Sequence, residues 1–184
     1  MYHSGGPLPE PTEHRACVVV ITGVSGSGKS TVGRALAERL SWRFHDADDL
    51  HSPENVARMR QGLPLTDAMR APWLARVRGV IEDAVQEGAG AVIACSALKA
   101  RYRTFLSDGR PNVRFVLLNA SRELLLQRLT NRRGHFAGPK LLDSQIEALE
   151  PPADALTLDA SRPVAELVEA IRTELAIYVR DECR

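Results

Sequence analysis

The sequence predicts an α/β protein, with three α/β/α layers built on a mainly parallel five-stranded sheet. Two observations carry the prediction. From residue 16 onward, short β-branched apolar runs alternate with longer segments of helical period, a pattern that places helices on both faces of a parallel sheet. The first of those runs also passes straight through a glycine-rich turn into a helix.

Residues 1–15, "MYHSGGPLPEPTEHR", hold three prolines and two glycines without periodicity and read as a disordered tail. The remainder, 16–184, reads as one domain. "ACVVVIT" is continuously apolar, as a buried strand must be. After the glycine turn, Val32, Ala35, Leu36 and Leu40 fall at helical spacing. "WRFHDAD" is a brief second strand that ends in acids. "SPENVARMRQG" is a short helix with Ser52 as cap, Pro53 in the first turn and Gly62 at its end. In "TDAMRAPWLARVRGVIEDAVQEG", Trp73, Leu74, Val77, Val80, Ile81, Ala84 and Val85 share one helical face. There follow a strand "AVIAC", a helix "ALKARYRTFL", a strand "VRFVLLN" and a helix "SRELLLQRLTNRR". "GHFAGPK" is a break. A short helix "LLDSQIEALE", a strand "ALTLD" and a helix opening on Pro163 complete the domain.

Composition narrows the function classes. Lys and Arg number 24 against 23 Asp and Glu, a net charge of +1, with none of the basic excess that nucleic acid or an anionic membrane selects. No apolar run is long enough to span a bilayer, and no signal peptide is visible. Three cysteines, Cys17, Cys95 and Cys183, are too few and too irregular for a disulfide framework or a zinc site. Cys17 and Cys95 border apolar runs and read as buried thiols. These features predict a soluble, cytoplasmic protein.

Gly23-Val24-Ser25-Gly26-Ser27-Gly28-Lys29-Ser30 fits G-x-x-x-x-G-K-[ST]. Glycines let successive N–H groups turn inward on phosphate oxygens, and the following helix adds its positive end. Lys29 reaches the β- and γ-phosphates as a point charge, and Ser30 is placed to ligate Mg²⁺. The motif thus predicts a P-loop NTPase fold but not whether its bearer is a kinase, a switch or a motor. The spacing is not that of a Rossmann fingerprint. A switch or motor hydrolase needs an apolar strand ending in aspartate for Mg²⁺. "AVIACS" lacks it, which leaves room for a substrate beside Ser96.

Asp46 and Asp48 close the second strand two residues apart, so an extended backbone would put them on one side. They are either an acid-rich turn or a working pair. As a pair, one would hold Mg²⁺ through water and the other would take a proton from an acceptor hydroxyl. Arg128 and Arg132 lie four apart on one helix face and run into a glycine-flanked break. Such arginines suit a lid, near 130–150, that closes over transferring phosphates. His45, His51 and His135 lack metal-ligand spacing, and Trp42 and Trp73 read as core.

Taken together, "GVSGSGKSTVG", "DADDLHSPENVARMRQGLPLTD", "RAPWL", "CSALKARYR", "SRELLLQRL", "RRGHF" and "LLDSQIEALE" resemble the gluconokinases of the short P-loop type, relatives of shikimate and nucleoside monophosphate kinases. The resemblance covers nearly everything after the tail. It implies transfer of the ATP γ-phosphoryl group to the 6-hydroxyl of D-gluconate with Mg²⁺, in a homodimer. By that resemblance Gly26 to Thr31 hold phosphates and Asp48 is the base. Arg70 grips the substrate carboxylate or hydroxyls, and Ser96, Lys99 and Arg103 line the acceptor pocket. Arg128 and Arg132 serve lid and nucleotide, Gln145 approaches the substrate, and "DASRP" (159–163) sits where relatives hold adenine. "DAMR" (67–70) lacks acids usual in the family before that arginine, a difference that bears on helix capping, and the long tail is also a departure. Two alternatives remain: a kinase for another small acceptor such as shikimate or a nucleotide, and a nucleotide-binding regulatory module. "CSALK" and "GHF" speak against the first, and intact Lys29 and Asp48 against the second.

Overall fold

A computed structural model describes residues 17–131, 141–153 and 155–175. Its strands are β1 (Val18–Thr22), β2 (Arg43–Asp46), β3 (Ala91–Ala94), β4 (Val113–Asn119) and β5 (Leu156–Asp159). They form one sheet in the order β2-β3-β1-β4-β5, with every pairing parallel. The helices are α1 (Lys29–Leu40), α2 (Pro53–Arg60), α3 (Asp67–Gln86), α4 (Ala100–Ser107), α5 (Arg122–Asn131), α6 (Leu142–Ala148) and α7 (Val164–Glu174).

All five residues of β1 are buried because the strand lies between β3 and β4 and has helices on both faces. The two-residue period of a strand divides its side chains between two cores. Val18 and Val20 meet Trp73, Leu74, Val77 and Ile81 of α3 and Leu106 of α4. Val19 and Ile21 meet Leu36 and Leu40 of α1 and Leu167 and Ile171 of α7. Each such aliphatic side chain contributes about 1.5–3 kcal/mol on burial, so the two faces of β1 hold the three layers together.

Local signals set the helix starts. Ser52 accepts the Asn55 N–H at 3.3 Å to open α2, and Pro53 takes the first turn, where no N–H is required. Thr66 caps α3 in the same way through the Met69 N–H. Val80 and Val85 of α3 are partly buried, at the margin of the core that takes the rest of their face. Beyond the loop crest, Leu125 and Leu129 of α5 and Leu142 of α6 pack with Val24 and Leu98 in a separate apolar cluster. The predicted tail, the break at 134–140 with Arg132 and Arg133, and Cys183 lie outside the described residues. So does the end of the last predicted helix.

Gly90 precedes β3, and a methyl group there would come within 2.2–2.5 Å of three indole atoms of Trp42. Gly90→Ala therefore forces the Trp42 ring off the second core, at a cost of about 1–3 kcal/mol. The expected result is a melting temperature lower by roughly 3–10 °C, measured by circular dichroism.

Candidate active site

The loops that leave the carboxyl ends of β1, β2 and β3 meet above the sheet, where open α/β sheets bind ligands. The phosphate loop comes from β1. Gly23 turns the chain out of the strand with φ +141°, and a Cβ at this position would lie 2.7 Å from the Leu118 carbonyl oxygen and 2.9 Å from Ser27 Oγ. Glycine is thus required there for backbone reasons, and Gly23 is not among the residues that line the two cavities described next. Gly26 and Gly28 also take positive φ, 86° and 96°, and Gly28 delivers the chain into α1 as its N-cap. Lys29, the first residue of that helix, donates to the Val24 carbonyl across the loop at 3.2 Å.

β2 stops at Asp46. Contrary to the extended reading, Asp46 and Asp48 do not continue along one strand. The Asp46 carboxylate accepts the Asp48 N–H at 3.1 Å, and this turns the chain into a 3₁₀ helix at Ala47–Leu50. The other Asp46 oxygen accepts from Ser30 Oγ at 2.6 Å, which ties the start of α1 to the end of β2.

Two cavities open on this crest. One is lined by Gly26, Ser27, Gly28, Lys29, Ser30 and Thr31 of the loop and α1, by Arg128, and by Ala160 and Arg162 of the "DASRP" segment. The other is lined by Arg70, Ser96, Lys99, Gln145, His51 and Tyr102 and floored by Trp73, Met59, Leu65 and Leu141. Ser25, Lys29 and Asp48 line both. Whatever fills the two cavities meets across these three residues.

Arg128 belongs to α5 and donates to the Ala160 carbonyl at 2.8 Å and to the Gly26 and Ser27 carbonyls at 3.4 Å. It braces the phosphate loop against the segment after β5. Its predicted companion Arg132 lies outside the described residues. Gln145 of α6 reaches the crest, where its side-chain oxygen accepts the Ser25 N–H at 2.7 Å.

Arg103 is the correction among the pocket candidates. It lies on α4, is 7% exposed, and turns away from the cavity. Its guanidinium donates to the Ala97 and Leu98 carbonyls at 3.0 Å and to the Glu150 carbonyl at 2.7 Å. Ala97 is buried with φ +36°, a conformation that L-residues avoid. Arg103 thus secures the loop that carries Ser96 and Lys99. Arg103→Met is expected to lower stability by about 2–4 kcal/mol by stripping buried carbonyls of charged donors. Measured well below the melting temperature, it leaves the acceptor KM within about fivefold, since Arg103 does not line the cavity. A large KM effect at unchanged stability would return Arg103 to the pocket.

Several site residues escaped sequence reasoning. Asp67, the first residue of α3, accepts from Tyr102, Arg101 and, at 3.2 Å, Lys99. The hydrogen bonds from Tyr102 and Lys99, with Arg101 in support, hold its carboxyl well below the usual carboxylate range. Asp67 thereby sets where Lys99 stands at the cavity edge. Arg70, one helical turn on, donates to the Leu65 carbonyl at 2.6 Å. His51 stacks on Trp73 with ring centroids 4.4 Å apart and planes 11° from parallel. Trp73 is therefore both core and cavity floor. Cys95, directly before Ser96, is buried, and that burial pushes its thiol up to about 12, so it offers no thiolate to the reaction.

The sheet order, the phosphate loop at the head of α1 and a second cavity sharing that loop define a P-loop kinase. The family model described as shikimate kinase matches residues 25–168. A probable gluconokinase of Dictyostelium discoideum is 45% identical over 167 residues, covering 84% of this chain and 84% of its own. The unliganded crystal structure of a sugar kinase from a Janibacter species superposes with TM-score 0.82 at 40% identity over 88% of this chain and 95% of its own. A Sinorhizobium meliloti gluconokinase structure superposes with TM-score 0.78 at 38% identity, covering 91% and 95%. This chain belongs to the gluconokinase family. Among the described residues no helix is long and apolar enough to cross a membrane.

Proposed function

We propose that this protein transfers the γ-phosphoryl group of ATP to the 6-hydroxyl of D-gluconate, giving 6-phospho-D-gluconate and ADP. The observation that carries the reading is the sharing of Ser25, Lys29 and Asp48 by two cavities. A donor phosphate on the loop and an acceptor hydroxyl beside Asp48 would then stand in contact, as in-line transfer requires.

In this reading the cavity with Arg128, Ala160 and Arg162 takes ATP, its phosphates against Gly26 to Thr31. The cavity with Arg70, Ser96, Lys99 and Gln145 takes gluconate. Arg70 and Lys99 supply the cations that a carboxylate needs. Asp48 accepts the proton of the 6-hydroxyl as the O6–Pγ bond forms and the bond from Pγ to the bridging oxygen breaks. The electron pair leaves on the β-phosphate of ADP. Lys29 and the loop N–H groups stabilise the charge that builds on the transferring group. Ser30 and Asp46, a hydroxyl and a carboxylate already in contact at the loop, are oxygen donors of the type Mg²⁺ takes. Mg²⁺ would neutralise phosphate charge there. Arg132, outside the described residues, is the remaining cation of the reading. A homodimer and a cytoplasmic location complete it, the former testable by sedimentation.

ADP release with Mg·ATP against D-gluconate, L-idonate, shikimate, D-glycerate and AMP tests the proposal. Turnover with D-gluconate alone is the expected outcome. Turnover with another acceptor in its place would keep the kinase and discard the substrate, and ATP binding without any turnover would favour a regulatory module.

A further inference from the structure

His51 is placed like a substrate contact, although no role in the transfer falls to it above. It ends the 3₁₀ turn that carries Asp48, with its N–H donating to the Asp48 carbonyl at 3.4 Å. Its ring lies flat on Trp73. Trp73 is 2% exposed and fixed in turn by its indole N–H, which donates to the Ala47 carbonyl at 2.6 Å. A ring held flat on one face in this way keeps its edge in a fixed direction, and the edge of imidazole carries the nitrogens. His51 and Trp73 both line the cavity that holds Asp48, Arg70 and Lys99.

We propose that His51 is a specificity-determining residue of the acceptor site, whose imidazole edge hydrogen-bonds one secondary hydroxyl of the polyhydroxy-acid substrate. The inference rests on the functional reading above and extends it to how the chain of the acid is recognised. The cavity divides its chemistry by charge. Arg70 and Lys99 match a carboxylate, and Asp48 matches the hydroxyl that reacts. The hydroxyls between are neutral, and each both donates and accepts. A neutral imidazole has the same pair of functions, one donor and one acceptor. Burial holds the His51 imidazole far below the ordinary histidine range, at about 4. Asp48 pulls it upward, and Arg70 and Arg76 push it further down. His51 is therefore neutral at neutral pH. Because it ends the turn that holds Asp48, a hydroxyl bound to His51 fixes the substrate chain relative to the proton acceptor.

The test compares wild type, His51→Phe and His51→Gln. Phenylalanine keeps a flat ring on Trp73 and removes both nitrogens, whereas glutamine restores a donor and an acceptor without the ring. Steady-state constants are measured for D-gluconate and for deoxy-D-gluconates that each lack one secondary hydroxyl. Wild type is expected to disfavour one of these by ~10–100-fold in kcat/KM, as for a lost hydrogen bond in a closed site. His51→Phe is expected to lose a similar factor on D-gluconate, mainly through KM. It should leave the KM for ATP unchanged and no longer distinguish that one deoxy acid. His51→Gln should recover part of the loss. If His51→Phe and His51→Gln keep the wild-type order among the deoxy acids, the proposal is overturned and the function stands. The proposal fails in the same way if both variants lose ATP affinity and thermal stability along with acceptor affinity. A wild-type enzyme inactive on D-gluconate would remove the functional reading at the first measurement, and this proposal with it.

Discussion

Asp48→Asn is expected to lower kcat by about 10³-fold, within the range that general-base catalysis supplies, while the protein folds as before. Asparagine has the shape of aspartate and can still accept a hydrogen bond, but it cannot take up a proton. The turn around residue 48 is held by its backbone, since the Asp48 N–H donates to Asp46. The 3₁₀ helix should therefore survive the change. Because the residue touches both cavities, ground-state binding of ATP and of the acceptor should each change by less than ~10-fold, and the defect should appear in kcat. Rapid-quench measurement of the first turnover separates this step from product release. Wild-type kcat in the variant would exclude Asp48 as the proton acceptor and leave its carboxylate a structural part in the turn.

The second large effect belongs to Lys29. Lys29→Met is expected to reduce kcat/KM for ATP by about 10²–10³-fold, the usual consequence of removing one preorganised donor from developing charge. Methionine keeps the stem of the side chain, so the half-buried position stays filled. Within the protein itself the substitution removes the hydrogen bond to the Val24 carbonyl at 3.2 Å, and the fall in stability should stay below about 1.5 kcal/mol. Combining Lys29→Met with Asp48→Asn should cost less than the product of the two losses, because residues that act on one transition state are not independent. Full additivity would mean that the two side chains serve separate steps.

The sequence is most legible where periodicity and capping act over a few residues. "VRFVLLN" is β4 at Val113–Asn119, and the apolar stripe of α3 stands where its spacing puts it. The phosphate loop is legible because its chemistry is written in consecutive residues. The acid pair misleads because a two-residue spacing looks alike in a strand and in a tight turn. Only the Asp46 carboxylate, folding back on the Asp48 N–H, decides between them. Arg103 is misplaced by sequence for a related reason. A position on α4 beside Lys99 does not reveal that the carbonyls of residues 97, 98 and 150 converge on its guanidinium. The contacts of Asp67 with Tyr102 and of Ser25 with Gln145 join distant parts of the chain. No local pattern encodes them.

The central place of β1 also bears on how the chain is made. Val18 pairs with Ala91 on one side and Val113 on the other, so the most fully buried strand has its neighbours far along the chain. At a synthesis rate of about 5–20 residues per second, Val18 waits roughly 4–15 s before its first partner exists. Throughout that interval "VVVIT" is an uncharged, β-branched segment with both edges open, the kind of segment that self-associates. On the ribosome, the strand that later anchors both cores is therefore the one most in need of shelter.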